Sequence, residues 1–466
     1  MKYKKYQSNS NVKKNKYIVK LGSKIKSALF LFQKNRSNFA VVLDKNKKFL
    51  GVLTISDIKK ALISGNTINS KIDKFVNKNP AFIKGELNQI NISNLINTKK
   101  FINAEPPLIP IVNKDNKLIK IINKEYLKIY DLKRSKKQQS VLLIGGAGYI
   151  GTVLTKNLIR SGYNVSIFDK FIYLSKNEIK KNIKSKKLKL IKGDTRNISQ
   201  IFSAIKECDM VVHLAEMVGD PLCEQRPDKT FEINFLASIS IANICKNLEI
   251  SKFIYLSSCS VYGENKDDKL LTENSKINPL STYAKLKDLC EKSIIKNLGN
   301  NCQPCIIRLG TVYGNSMRPR YDLVINLFSG LIANNKKITI NGGDQWRPFI
   351  HVEDVSRAIA TILKSKQSKV NGQVFNIVGE NFKIKDIGNI INKKFPKAEI
   401  EYEKKSKDLR DYKVSAEKAE KTLSFKSKKR IKDEIVQMIK ETKKKKIQNI
   451  FSRKFINVYN LNRFLK

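Results

Sequence analysis

No apolar run in this 466-residue chain reaches the roughly 18 residues that a membrane span needs. The first residues, MKYKKYQSNSNVKKNK, have no apolar centre of the kind a secretory signal carries. Both absences make a cytoplasmic protein the expectation, with no membrane partner. Arginine-rich stripes and zinc-finger or helix-turn-helix spacings are also missing. The net charge of +50 comes from lysines scattered through almost every segment beside Asn and Ile. Such a spread argues against a nucleic-acid partner, whose footprint is a clustered basic face, although it would draw small anionic ligands. The seven cysteines all fall between residues 208 and 305. An odd count outside a small secreted frame suggests reduced thiols. CQPC (Cys302 to Cys305) has no second pair to complete a metal site, so no metal is expected.

What remains is a globular composition, 41% hydrophobic and 28% charged, long enough for two or three domains. Residues 1–16 read as a disordered basic tail. The polar stretch DLKRSKKQQS gives a linker at 133–139, between a region at 17–132 and a larger one at 140–430. A helical tail follows at 431–466, where IKDEIVQMIKE is amphipathic. The first region repeats itself: VVLDKNKKFLGVLTISDIKKAL, from Val41, is echoed 69 residues later by PIVNKDNKLIKIINKEYLKIY, from Pro110. Each copy is strand, turn, strand and the opening of a helix, with a helix before it in SKIKSALFLFQKNR and QINISNLINTKK. With FVNKNP between the halves, the pattern resembles a tandem pair of CBS domains. That resemblance implies an adenine nucleotide near Thr54 and Asp57 of GVLTISD, the carboxylate taking the ribose hydroxyls. The second copy has Lys120, Asn123 and Tyr126 where the first has Gly51, Thr54 and Asp57, so at most one site is intact. Thr54 and Asp57 also suit a plain helix cap. Dimerisation or scaffolding is then the alternative role, and a homodimer or larger homo-oligomer is expected.

In the second region, VLLIGGAGYIGTVLTKNLIRSGYNVSIFDK predicts strand, glycine turn, helix and strand. Gly145, Gly148 and Gly151 let the turn approach a pyrophosphate, and the helix opening at Tyr149 and Ile150 offers free N–H groups and a positive dipole end. Asp169, 18 residues past the last glycine, can accept bonds from the ribose hydroxyls. A 2′-phosphate would meet like charge there, so NAD is favoured over NADP. Asp194 follows a third strand where the adenine would lie. Leu214 and Ala215 end a fourth strand, DMVVHLAE, and Asn234 opens the next helix in FEINFLAS.

The apolar run KFIYL ends in SSCSVYG, and STYAKLKD follows with Tyr283 and Lys287 at i, i+4 on one helix face. A nearby positive charge lowers a phenol pKa, so Lys287 and an oxidised nicotinamide ring are together expected to prepare Tyr283 as a general base, with Ser258 on the same substrate oxygen. Together these segments make residues 140–430 resemble an extended short-chain dehydrogenase/reductase of the nucleotide-sugar epimerase/dehydratase group. The implied fold is α/β: an NAD-binding Rossmann fold with a smaller C-terminal substrate lobe, preceded by the α/β CBS-domain pair. The resemblance also gives Arg347 of GGDQWRPFIHVEDVSRA, with Asp408 and Arg410 of DLRDYKVSAEKAEKTLSF, a role on the sugar-nucleotide diphosphate. It gives His351 and Asp354 supporting roles. Dehydratases of the group carry Asp–Glu after the Ser/Thr, whereas Cys259 and Ser260 stand here. Epimerisation through a 4-keto sugar on retained NAD is therefore the leading expectation. Ketosugar reduction, 4,6-dehydration and a non-catalytic nucleotide sensor are the alternatives. Two departures stand out: Val218 where a lysine is expected, and Glu216, a charge just after the fourth strand.

Overall fold

The computed structural model describes residues 14–85, 108–124, 139–265, 269–298, 304–403 and 410–457, with 98, 101, 302 and 408 besides. The helix expected in QINISNLINTKK, the position of Tyr126, most of the linker and most of the N-terminal tail lie outside them. The described chain divides into two units, residues 1–137 and 138–466.

The first unit is built on two matching hairpins. Strands β1 (Ile18–Lys20), β2 (Phe39–Leu43) and β3 (Phe49–Thr54) form one sheet, and β4 (Ile83–Lys84), β5 (Leu108–Val112) and β6 (Leu118–Asn123) form another. In each, a parallel pair precedes an antiparallel hairpin, with a register shift at Val42/Leu43 and at Ile111/Val112. The repeat read from the sequence is therefore a repeat of backbone. Helices α1 (Ile25–Asn35) and α2 (Ile55–Ile63) cover the first sheet and bury Ile25, Ala28, Phe32, Ile58 and Ala61 at 3.6-residue spacing.

The second unit carries a seven-stranded sheet. In chain order its strands are β7 (Ser140–Ile144), β8 (Asn164–Asp169), β9 (Leu188–Lys192), β10 (Met210–His213), β11 (Lys252–Ser258), β12 (Pro304–Leu309) and β13 (Val374–Ile377). In space the order is β13-β12-β11-β10-β7-β8-β9, every pair parallel. Strands buried on both faces read as continuous apolar runs; β7, SVLLI, is buried throughout. After β9 the chain returns to the other side of β7, so the order switches between β7 and β10. Ligands of open α/β sheets bind at the carboxyl ends of strands at such a switch. Helices α3 (Tyr149–Arg160), α4 (Ala237–Asn247), α5 (Thr282–Leu298) and α6 (Val352–Lys364) belong to this unit.

The smaller lobe has a three-stranded sheet of residues 311–313, 346–351 and 380–383, and a parallel pair, 338–341 with 400–403. Its core runs past residue 430 into the C-terminal helix. Helix α7 (Ile431–Lys444) buries Ile431, Ile435, Met438 and Ile439 in the same cluster as Ile325, Phe328 and Ile387, and Ile450 and Ile456 continue it. The amphipathic stretch is thus an internal part of the lobe. Its apolar stripe needed a partner, and the helix at 324–333 provides it.

Candidate functional site

Strand β7 ends in a turn that few residues other than glycine could make. Gly145 has φ +85°, and a Cβ on it would sit 2.5 Å from the Ala215 backbone N at the end of β10. A Cβ on Gly151 would fall 2.5 Å from the Gly146 carbonyl O, so the helix packs directly on the turn. The unpaired N–H groups of α3 therefore open at the sheet's switch point. Asp169 closes β8, and its carboxylate accepts the Ala147 N–H at 3.0 Å and the Phe171 N–H at 2.7 Å. Burial raises its pKa against those bonds. Burial also acts to raise the Asp194 carboxyl, but Arg196 at 2.6 Å and Lys170 at 3.1 Å hold it well below the usual range.

A cavity of about 780 Å³ opens over this turn. Gly145, Gly148, Tyr149, Ile150 and Gly151 line it, as do Asp169, Asp194, Leu214 and Ala215. Asn234, expected with them, lies beneath the lining. It is 2% exposed, and its amide holds the Met217 N–H at 2.8 Å and the Met217 carbonyl at 2.9 Å. It shapes the turn after β10 from below. Tyr149 also works structurally: its hydroxyl donates to the Gly314 carbonyl at 2.7 Å.

The opposite wall comes from α5 and the end of β11. Ser258, Tyr283 and Lys287 line the same cavity as the glycine turn. Helix α5 is fixed in register by Glu291, one turn past Lys287, which takes the Ser257 hydroxyl and pairs with buried Arg308 at 2.7 Å. Ser258 Oγ accepts the Ser260 N–H at 3.1 Å, capping the short turn after β11. Cys259 points away from this wall. It is 1% exposed, its thiol faces the Arg308 carbonyl, and burial drives its pKa up, which suits packing and not proton transfer. The Ser260 hydroxyl is buried without a hydrogen-bond partner among the described residues and also borders the cavity.

One electrostatic expectation is corrected. Lys287 does not hold the Tyr283 phenol low. Its ammonium lies 2.5 Å from the Glu216 carboxylate, donates to the Leu256 carbonyl, and sits 5.6 Å from the Tyr283 ring centre. Burial pushes the Tyr283 pKa well above the ordinary tyrosine value, and the Glu216 charge adds to the rise. The charge after β10 that looked out of place is the counter-ion of Lys287.

Arg347, Asp408 and Arg410 do converge. Arg347 pairs with Asp408 at 2.8 Å and donates to the Arg410 carbonyl, while Arg410 grips Asp408 at 2.6 Å. Arg410 also reaches Asp220, at 2.9 Å, in the loop after β10. His351 and Asp354 stand behind them, outside the cavity lining. His351 caps α6 against the Glu353 N–H, and Asp354 accepts the Lys428 and Lys429 N–H groups and the Ser427 hydroxyl.

Sequence reading missed the C-terminal contribution. Ile456 and Asn457 line the cavity. Asn457 donates to the Val218 carbonyl at 3.0 Å and accepts from Arg318 at 2.5 Å. Arg318 is 2% exposed and stacks on Tyr173, 3.8 Å from guanidinium carbon to ring centre. No local pattern announces an asparagine whose partner is 239 residues away.

In the first unit, Thr54 and Asp57 face each other. The Asp57 carboxylate accepts the Thr54 N–H at 2.8 Å and the Thr54 hydroxyl at 2.7 Å, and Thr54 Oγ1 accepts the Asp57 N–H at 3.3 Å. This is a capping box on α2.

Residues 141–378 match the family model described as NAD dependent epimerase/dehydratase family, and residues 12–64 match the CBS domain. The chain belongs to the NAD-dependent epimerase/dehydratase family. Among its relatives is a dTDP-D-glucose 4,6-dehydratase of Dictyostelium discoideum, 32% identical over 53% of this chain and 60% of that protein. A putative UDP-glucose 4-epimerase of Methanocaldococcus jannaschii is 31% identical over 50% of this chain and 75% of its own length. Among solved structures, the UDP-glucuronic acid 4-epimerase of Bacillus cereus, in complex with UDP-glucuronic acid and NAD, superposes with a TM-score of 0.58. It is 26% identical, and the match covers 65% of this chain and 99% of that one. The chain thus spans about three-fifths of the dehydratase and most of the epimerases. Among the described residues, no helix is long and apolar enough to cross a membrane.

Proposed function

We propose that this protein is an NAD-dependent epimerase that inverts C4 of a nucleoside-diphosphate sugar. The supporting observation is one cavity shared by the glycine turn, Asp169, Ser258, Tyr283 and Lys287. The close approach at Gly145 and the carboxylate at the end of β8 fit a dinucleotide with free ribose hydroxyls. Bound there, NAD would supply reversible hydride transfer. Lys287 and Asp169 hold the two riboses. Ser258 orients the 4-oxygen, and Tyr283, whose raised pKa would have to be offset by the positive charge of the oxidised nicotinamide ring, takes the 4-hydroxyl proton as a phenolate and returns it after the sugar has turned. Arg347 and Arg410, kept in place by Asp408 and Asp220, bind the diphosphate through guanidinium charge and the N–H groups those carboxylates leave over. Cys259 and Ser260 supply no carboxylic acid where water loss would need one.

The test is NMR of purified protein with UDP-glucose and UDP-glucuronate. The expected product is the C4 epimer, with no net consumption of reduced cofactor and no loss of water by mass. Tyr283→Phe should lower turnover about 100- to 10,000-fold, the usual worth of a positioned acid–base group, while leaving NAD affinity unchanged. Stoichiometric consumption of NAD(P)H would instead make the protein a reductase, and a dehydrated product a dehydratase.

A further inference from the structure

Three cavity carboxylates pair with cations away from the reacting end: Asp194 with Arg196 and Lys170, Asp408 with Arg347 and Arg410, and Asp220 with Arg410. Glu216 is placed differently. It follows the central strand β10 by three residues, beside Lys287 and within the reacting end of the cavity. Its side chain is 4% exposed. Two donors hold it, the Lys287 ammonium at 2.5 Å and the Tyr255 hydroxyl at 2.8 Å, so its ionised form has partners for both oxygens. Around the pair lie Tyr283, His213, Cys223, Cys290 and Asp220, and the further cation acting on Tyr283, Arg320, is itself paired with Asp322 at 2.7 Å. The pair is therefore close to neutral, and the Lys287 charge is already spent inside the protein.

We infer that Glu216 is the residue that biases the bound nicotinamide toward its oxidised form. The inference rests on the NAD reading above. The oxidised ring is cationic and the reduced ring is neutral. With Glu216 in place the Lys287 charge is cancelled and the cationic ring is not repelled, an effect that counts because charges interact more strongly where solvent is excluded. With an unpaired lysine there, the preference would run the other way. For an enzyme that must return its substrate to the resting oxidation level, the bias keeps the keto sugar scarce and its escape rare. Glu216 acts through its charge and through Lys287, as a positioning and redox-setting residue.

The test is calorimetric binding of NAD+ and of NADH to protein freed of nucleotide. The wild-type chain should bind NAD+ at least as tightly as NADH. Glu216→Gln, which keeps the shape and the bond from Tyr255, should shift the ratio about tenfold toward NADH, equivalent to raising the potential of the bound couple by about 30 mV. Tyr255→Phe removes a hydrogen bond to the same carboxylate but no charge, and should move the ratio less than twofold. A wild type that prefers NADH, an unchanged ratio in Glu216→Gln, or an equal shift in Tyr255→Phe would each overturn the inference while leaving the epimerase reading intact. Failure of the wild type to bind either nucleotide would remove the cofactor reading itself.

Discussion

Asp57 and Asp169 both sit where a strand gives way, one in each unit, and both were expected to take ribose hydroxyls. Their surroundings differ. Asp57 spends its carboxylate on Thr54, three residues away, and the whole arrangement is accounted for by helix capping. Asp169 accepts the Ala147 N–H from 22 residues away and borders a cavity that also holds Tyr283, Lys287 and Arg347. The difference teaches that an acid after a strand becomes part of a site when distant segments converge on it. Local pattern alone also makes caps.

Acid should separate the two units most strongly. The chain has two histidines, His213 and His351, and both lie in the second unit. Burial lowers the first to about 3 and the second to about 4. A histidine kept neutral when folded binds its proton only in the unfolded chain. Its contribution is therefore intact above about pH 6.5 and is lost as pH falls toward the folded value, by about 1.4 kcal/mol per pH unit for each. The single tryptophan, Trp346, also belongs to the second unit, so its fluorescence reports that unit alone. Urea midpoints followed at Trp346 should drop between pH 6.5 and 4, and His213→Asn should flatten the slope. An unchanged slope in that variant would show that burial of the imidazole is not what sets the acid response.

The next effect tests how far the second unit's site depends on residues remote in sequence. Asn457→Ala leaves Arg318 buried without its amide partner and frees the Val218 carbonyl. A lost buried hydrogen-bond partner costs about 1–3 kcal/mol, so affinity for NAD or for the sugar nucleotide should fall about 5- to 100-fold with little change in the far-UV circular dichroism. Unchanged affinities would mean that the C-terminal segment only packs. This is also where legibility in the sequence ends. The glycine turn, the Tyr283–Lys287 spacing and the alternating strands and helices could be read because each is set by neighbours within a few residues. The hairpin repeat was legible for the same reason. Asp220 against Arg410, Glu216 against Lys287 and Asn457 against Arg318 could not be read, because each pairing is created by the fold. Glu216 was visible as a misplaced charge, but its consequence for Tyr283 needed the distance to Lys287.

The smallest effect would sharpen or break the comparison itself. Thr54→Ala should cost the first unit about 1 kcal/mol, the usual worth of a helix N-cap, and leave turnover and both cofactor and sugar affinities where they were. Asp57→Ala should behave alike, because its carboxylate serves the same cap. Calorimetry with ATP and AMP on the full chain decides what the cap conceals. If neither nucleotide binds, the Thr54–Asp57 pair is structural, and the first unit acts through association or support. If one binds and Asp57→Ala abolishes it, the carboxylate must leave Thr54 to meet the ribose. The capping box would then be the resting state of a ligand site, and Asp57 and Asp169 would differ only in whether their cavity stands ready before the nucleotide arrives.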